Sequence, residues 1–434
     1  MRLQSILNAN EEGFFLITPQ GFDAETRMPV SVSTANRRAF IATAAGSVLL
    51  ASRLVLAPSL AHAATEKVWR VGVIGHTGRG DFGHGLHTVW LDLPEAKMVG
   101  LADADRNGLV NAQRKLKAEN AFADYREMLK QVRPEIVAVC PRHVDQHHEM
   151  ILAAIDSGAQ GIYCEKSFCR TPQEADEIIA ACKRTGTKLG IAHRNRYHPA
   201  LPQAALAIQE GAIGKLLEIR CRGKEDGRGG AQDLWVLGTH LFNLAEYFSG
   251  RATACSAVLL VDSRPVTAAD IVEGPEGIGP IAGNRLHARY ETVAGIPVFF
   301  DSIRDAGVAA AGFGIQLVGT EGLIDLRIDT EPLVHFVPGN PFRPTLSPRP
   351  WIPITSAGIG QPEPIPDITK LVANHTLPTR DLIAAITDDR APQCSDEDGR
   401  ATVEMVHATF ASHVKNGERI QLPLASRTHP FDRW

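Results

Sequence analysis

The chain has 434 residues, of which 44% are hydrophobic and 22% charged, with a formal net charge of -4. This balance excludes a disordered or low-complexity protein and provides apolar material for a large core that needs neither metals nor disulfides. The small net charge and the lack of a basic run give no footprint for nucleic acid or an anionic membrane as partner, and no solenoid or propeller period is present.

Residues 36–64 read NRRAFIATAAGSVLLASRLVLAPSLAHAA. Arg37 and Arg38 precede a moderately apolar run that ends in Ala61-His62-Ala63, a small-x-small cleavage pattern. The segment resembles a twin-arginine export signal, which implies the twin-arginine export machinery as a partner and a periplasmic or otherwise exported location. Arg53 interrupts the run and argues against a stable membrane span. Residues 1–64 are therefore expected to be a removable leader, with Met28 as a more natural start than Met1.

Residues 65–194 read as a dinucleotide-binding domain. VWRVGVIG (68–75) is a strand ending in glycine, followed by HTGRGDFGHG and an apolar-periodic stretch through Leu93. Strand, glycine turn and helix is the order of a dinucleotide-binding βαβ unit, in which backbone and helix N-terminus approach a pyrophosphate. Gly75, His76, Thr77, Gly78, Arg79 and Gly80 are assigned to this cofactor loop, spaced G-x-x-G-x-G. A second strand, KMVGLAD, ends at Asp103, where a carboxylate can accept from ribose hydroxyls and favours NAD; the nearby Arg106 leaves NADP open.

EIVAVCP (135–141), GIYCEK and KLGIAHR (188–194) read as further buried strands, with a helix over 147–157 between the first two. Thr171, Pro172 and Glu174 open another helix with a capping box and a proline in its first turn. The alternation argues for a doubly wound parallel α/β sheet of the Rossmann kind. The seven cysteines form no CxxC pair and no zinc-like cluster, so no metal is expected; Cys140 and Cys164 read as buried structural thiols.

The segment CPRHVDQHHEMILAAIDSGAQGIYCEKSFCRTPQEA resembles the glucose–fructose oxidoreductase, inositol dehydrogenase and MocA family, across its fourth strand and Glu-Lys-Pro signature. The resemblance implies an NAD(P)-dependent oxidoreductase that transfers hydride at a carbinol carbon of a sugar or polyol; export would limit exchange of soluble NAD, so a tightly held cofactor is expected. The resemblance makes Pro141, His147, Glu165 and Lys166 cofactor-side residues and gives Lys166 the acid/base role toward the substrate hydroxyl. Ser167 replaces the signature proline, whose preceding bond is commonly cis in the family, so the expectation here is a shifted trans loop or a strained cis bond.

In GGAQDLWVLGTHLFNLAEYFSG, His240 matches the histidine of the second family signature. Val236 and Asn243 stand where that signature has acids, and Asp233 lies too far upstream to be assumed a substitute. His240 is the second catalytic candidate. Asn243, sharing a helical face with it, is taken as a substrate contact. Arg196, Tyr197 and His198, just past the last Rossmann strand, are also read as substrate contacts.

Residues 195–434 are expected to form a substrate and oligomerisation domain, an α+β unit with an open, mainly antiparallel sheet through which copies associate. KLLEIRCRGKED, ATACSAVLLVD, NRLHARYET, IPVFFDSIRD, GFGIQLVGT and GLIDLRI read as its strands. The proline- and glycine-rich stretch 337–366 is expected to be an extended loop, with helices near 378–388 and 396–415. Two other readings stay open: an isomerase, epimerase or glycosidase with retained NAD and no net redox change, and a catalytically degenerate sugar-binding protein.

Overall fold

Strands that are apolar on both faces must be sandwiched between helices, and the first half of the chain obeys this rule. The computed structural model describes residues 67–308 and 311–434; the expected leader lies outside them. β1 (Trp69–Ile74), β2 (Ala96–Ala102), β3 (Ala121–Phe122), β4 (Ile136–Val139), β5 (Gly161–Cys164) and β6 (Lys188–Ile191) form one parallel sheet in the order β3-β2-β1-β4-β5-β6. Every residue of β4 and β5 is buried. The order reverses between β1 and β4, and the crevice at that switch point is where such sheets take ligands.

The connecting helices start where side chains cap them. Asp105 accepts from Gly108 N at 2.6 Å to open α1 (Arg106–Leu116), and Asp124 accepts from Arg126 N to open α2 (Tyr125–Val132). α3 spans His147–Asp156. Thr171 Oγ1 accepts from Glu174 N at 3.1 Å at the head of α4 (Pro172–Thr185). The Glu174 carboxylate reaches back to Arg170 N, one residue before the cap, so the expected box is offset by one position.

The helix expected after β1 is not formed. Residues 75–88 run as consecutive turns joined by a bridge between His76 and Asp81, and only a 3-10 turn, Val89–Asp92, follows. Gly78, Gly80, Gly83 and Gly85 all take positive φ, and each glycine in a helix costs about 1 kcal/mol relative to alanine. The apolar residues behind the helical periodicity, Leu86, Val89, Trp90 and Leu93, are buried all the same.

After α5 (Ala200–Gln209) the chain builds a second, mixed sheet. Its central strands are β7 (Leu216–Arg222), β8 (Ala252–Val261), β12 (Arg285–Thr292), β13 (Val298–Ile303), β14 (Gly314–Gly319) and β15 (Gly322–Arg327). Their pairings are antiparallel except β7 with β13. Between β7 and β8 lie α6 (Ala231–Asp233), a π-helical turn at Leu234–Gly238 and α7 (Thr239–Ser249). Three short strands, β9 (Arg264–Pro265) on the edge of β8 and the paired β10 (Val272–Glu273) and β11 (Pro280–Ile281), follow β8. The stretch 337–366 is more regular than expected. The end of β16 (Val334–Pro338), then β17 (Ile352–Thr355) and β18 (Gly358–Ile359), extend the sheet edge, because Ile352 and Ile354 supply a pleated, half-buried surface among the prolines.

The last third of the chain returns to the first sheet. α8 (Ile368–Ala373) and α9 (Thr376–Thr387) precede α10 (Asp396–Val414), and β19 (Ile420–Gln421) closes on β8. Leu382 of α9 is fully buried in the same apolar cluster as Val71, Leu101, Ile136 and Tyr163. Gly399 of α10 lies so close to the Phe168 ring that a Cβ there would sit 2.8 Å from it. All seven cysteines are free and buried. Among the described residues no helix is long and apolar enough to cross a membrane.

Leu382→Ala should therefore destabilise the nucleotide-binding sheet, although it lies almost 200 residues away in sequence from β6. The expected loss is about 2–5 kcal/mol, read as a lower urea midpoint. An unchanged midpoint would mean that α9 does not contribute to that core.

Candidate active site

The site is organised at a junction between the end of β5 and the π-helical turn. The Lys166–Ser167 peptide bond is cis, one of the two geometries expected where the family proline is missing. Ser167 Oγ donates to Trp235 O at 2.9 Å, and Lys166 Nζ donates to Val236 O at 2.9 Å. Val236 thus meets the lysine through its backbone carbonyl at the position where the family signature carries an acid. On the other side His147, fully buried, faces the carbonyls of Ser167 (2.9 Å), Phe168 (3.0 Å) and Pro141 (2.6 Å) with its two ring nitrogens. This makes His147 and Pro141 a clamp on the lysine loop, and neither lines the nucleotide cleft.

That cleft, of about 430 Å³, opens over the carboxyl ends of β1, β2 and β4 and is lined by Gly75, His76, Arg79, Asp103 and Asp124, among others. Asp103 is buried, and its carboxylate already accepts from Thr77 N (3.0 Å), Thr77 Oγ1 (2.6 Å) and Asp105 N (2.9 Å). It holds the glycine loop as well as facing the ribose position. Arg106 is exposed on α1 and does not line the cleft. His76 bonds Gln146 and Arg79 pairs with Asp145, fastening the loop to the turn after β4.

The two loop glycines differ. At Gly78 no atom lies within 4 Å of where a side chain would begin, while its N–H donates to Asp81 Oδ1 at 2.9 Å. At Gly80 a Cβ would lie 2.4 Å from Arg142 N, so this glycine serves the packing of the neighbouring turn instead. No helix N-terminus stands behind the loop. A switch-point cleft lined by Gly75, the buried Asp103 and the Arg79 guanidinium fits a dinucleotide.

A second cavity, of about 240 Å³, lies over the ends of β5 and β6 and is lined by Glu165, Lys166, Arg194, Lys224, Arg228, His240 and neighbours. Burial lowers the Lys166 ammonium below the usual lysine range, although the charges of Glu165 and Glu276 oppose the shift. Burial, then the positive charges of Lys166, His193, Arg194 and His84, hold the His240 imidazole well below the usual histidine range. His240 Nδ1 faces His193 Nδ1 at 3.4 Å, with the rings edge-on. Burial thus favours the neutral imidazole of His240 beside the Lys166 amine.

Glu165 ties this cavity to the glycine loop. Its Oε2 accepts from His84 N at 2.8 Å and faces His84 Nδ1 at 2.9 Å, and its Oε1 accepts from Lys166 N. Burial alone would push its carboxyl up. The hydrogen bond and charge of His84, with the Lys166 charge, bring it down to about 2. His375, from the start of α9, completes the wall, bonded through Nδ1 to Tyr163 Oη at 2.7 Å. Among the described residues no cluster of His, Cys, Asp and Glu is arranged to hold a metal ion.

The residues read from the sequence as substrate contacts lie elsewhere. Arg196 Nη1 bonds Asn243 O, and its guanidinium stacks on Tyr247. Tyr197 is buried with its hydroxyl accepting from Cys394 N, and buried His198 faces Glu331. Asn243 is buried with its amide against Cys394 Sγ. None of the four lines the lysine cavity. α7 presents His240 to the cavity and Asn243 to the start of α10. Asp233 holds Ser302 Oγ and Glu225 N and does not stand in for the missing acid. Sequence reasoning passed over Arg194, Lys224, Arg228, His84 and His375. Of these only Arg194, at the end of a recognised strand, carried a positional signal.

Residues 69–193 match the model of an oxidoreductase family described as having an NAD-binding Rossmann fold. The chain is 24% identical over 355 residues to a D-apiose dehydrogenase of Paraburkholderia graminis, covering 80% of this chain and 88% of that protein. It is 26% identical over 365 residues to a levoglucosan dehydrogenase of Pseudarthrobacter phenanthrenivorans, covering 74% and 88%. Among solved structures, a levoglucosan dehydrogenase in complex with NADH and levoglucosan superposes with a TM-score of 0.63 at 21% identity, covering 82% of this chain and all of that one. That likeness is one of fold.

Glu165→Gln keeps the shape and removes the charge. Because the folded carboxyl sits near 2, below its unfolded value, its contribution is complete above about pH 5 and disappears as pH falls toward 2. The variant should be less stable at pH 7 by on the order of 2–3 kcal/mol and lose part of the acid-side slope. Parallel stability–pH curves for both proteins from pH 7 to pH 3 would contradict this.

Proposed function

We propose that this chain is an oxidoreductase of the glucose–fructose oxidoreductase, inositol dehydrogenase and MocA family that uses NAD to oxidise a carbinol carbon of a sugar or polyol. The observation that carries this reading is the meeting of Lys166 and His240 in one cavity beside the switch-point cleft. The family match over residues 69–193 supports NAD, and relatives named for sugars support the substrate class.

Gly75, His76, Gly78, Arg79 and Asp103 would hold the dinucleotide, which when bound exchanges hydride with the substrate carbon. The rest falls to side chains. The Lys166 ammonium, which donates to the Val236 carbonyl, donates to the reacting oxygen and stabilises negative charge as the hydroxyl loses its proton. Neutral His240 receives that proton, and the His193 ring fixes its orientation. Glu165 is committed to His84 and acts by positioning the loop that carries the lysine.

The same reading places the protein outside the cytoplasm, supported by Arg37-Arg38, the apolar run and Ala61-His62-Ala63. Copies associate through the open face of the second sheet, where Arg220, Phe299 and Gln316 line a depression of about 410 Å³.

Lys166→Ala should lower turnover at least about 100-fold while NAD affinity changes by less than about 3-fold, because the lost interaction is made mainly in the transition state. His240→Ala should show a smaller loss, about 10-fold, since water can carry a proton in its place. Single-turnover reduction of NAD by a panel of sugars is the measurement, and equal rates for wild type and Lys166→Ala would remove the catalytic assignment. Intact mass of protein recovered from the periplasm tests export: the expected mature chain starts at Ala64, and a chain that keeps Arg37 overturns it.

A further inference from the structure

The walls of the lysine cavity hold four basic side chains, Lys166, Arg194, Lys224 and Arg228, against two acids, Glu165 and Asp329. Both acids are engaged. Glu165 faces His84 at 2.9 Å, and Asp329 accepts from Arg194 Nη2 at 2.9 Å. Arg228 is held by Asp226, just outside the lining, through Nε at 2.9 Å and Nη2 at 2.5 Å. Glu276, the other acid whose charge reaches Lys166, does not line the cavity.

Two cations are left over. Lys166 donates only to the neutral carbonyl of Val236. Lys224 makes no hydrogen bond or ion pair among the described residues, and its ammonium stands 5.9 Å from the Phe313 ring centroid. Lys166 is assigned to the reacting oxygen, which leaves Lys224 free to face another part of the same substrate. An acid its charge reaches, Asp226, is already bonded to Arg228, so an anionic group on the substrate would supply the direct acceptor that a neutral carbohydrate lacks.

We infer that the substrate is an anionic carbohydrate, a sugar acid or a sugar phosphate, and that Lys224 selects it by pairing with the anionic group while Lys166 meets the reacting hydroxyl. The inference rests on the oxidoreductase reading for the role of Lys166 and on the cavity alone for the charge preference. A charge-assisted bond of this kind is expected to favour the anion about 10-fold to 100-fold over its neutral counterpart.

The test uses the full-length protein as purified, with NAD added. Binding of glucuronate, glucose 6-phosphate and glucose, and of the galactose series, is measured by calorimetry, with NADH formation followed in parallel. Wild type should prefer one anionic member about 10-fold or more. Lys224→Met should collapse the anionic-to-neutral ratio of kcat/KM by about 10-fold, and Lys224→Arg should restore most of it. Phosphate preferred over carboxylate keeps the anionic class and identifies the group. Equal or weaker binding of anions by wild type, binding of no member, or an unchanged ratio in Lys224→Met overturns the inference. Tight anion binding without NADH formation leaves it standing and defeats the oxidoreductase reading. Turnover of neutral sugars alone does the reverse.

Discussion

A lysine buried at the end of a strand needs an acceptor, because an unpaired ammonium in a low-dielectric site is far too costly to keep. Here the acceptor is main chain. The π-helical turn before α7 offers the carbonyls of Trp235 and Val236 to Ser167 and Lys166, and extra-wide turns of this kind recur at functional sites. Two departures from the signatures that the sequence resembles, serine for proline and valine for an acid, belong to one arrangement. The serine hydroxyl docks the loop on the turn, and the turn's backbone receives the amine. His147 presses on the same loop from the opposite side. Both sheets meet the cofactor and substrate regions through this joint.

Glu165 extends the joint toward the nucleotide. The carboxylate is one residue from the lysine in sequence and bonds His84 of the glycine loop. A Cβ at Gly83 would lie 2.3 Å from that carboxylate, so the loop can close on it only with glycine there. The glycine loop and the Lys166 loop are therefore tied together by one buried acid. This explains why the loop can do without the usual helix: its shape is held by Asp103, Glu165 and the turn after β4.

The parallel sheet was legible because burial on both faces writes itself as continuous apolar runs, the first two of which end at Gly75 and Asp103. The second sheet was legible by alternation. The helix after β1 was misread because apolar spacing and glycine content pointed in opposite directions, and the glycines prevailed. Lys166 and His240 stood in recognisable motifs and do share a cavity. Arg196, Tyr197, His198 and Asn243 looked functional by chemistry and position, yet their side chains are spent on α7, α10 and Glu331. Lys224 and Arg228 sit in no motif. His84 and His375, 291 residues apart in sequence, line one cavity, a proximity that no local pattern encodes.

The return of α9 and α10 to the first sheet has a consequence for biosynthesis. Strands β1 to β6 are complete once residue 191 has left the ribosome, but Leu382 and the Phe168–Gly399 contact arrive about 190 to 210 residues later. Until then an apolar flank of the nascent nucleotide-binding half stays uncovered, which is the kind of surface that recruits chaperones and invites aggregation. The familiar order in which an N-terminal domain finishes before its neighbour begins cannot hold for this chain. Its first sheet is the first to be made and among the last to be closed, and loss of even the final tenth of the polypeptide would be felt there.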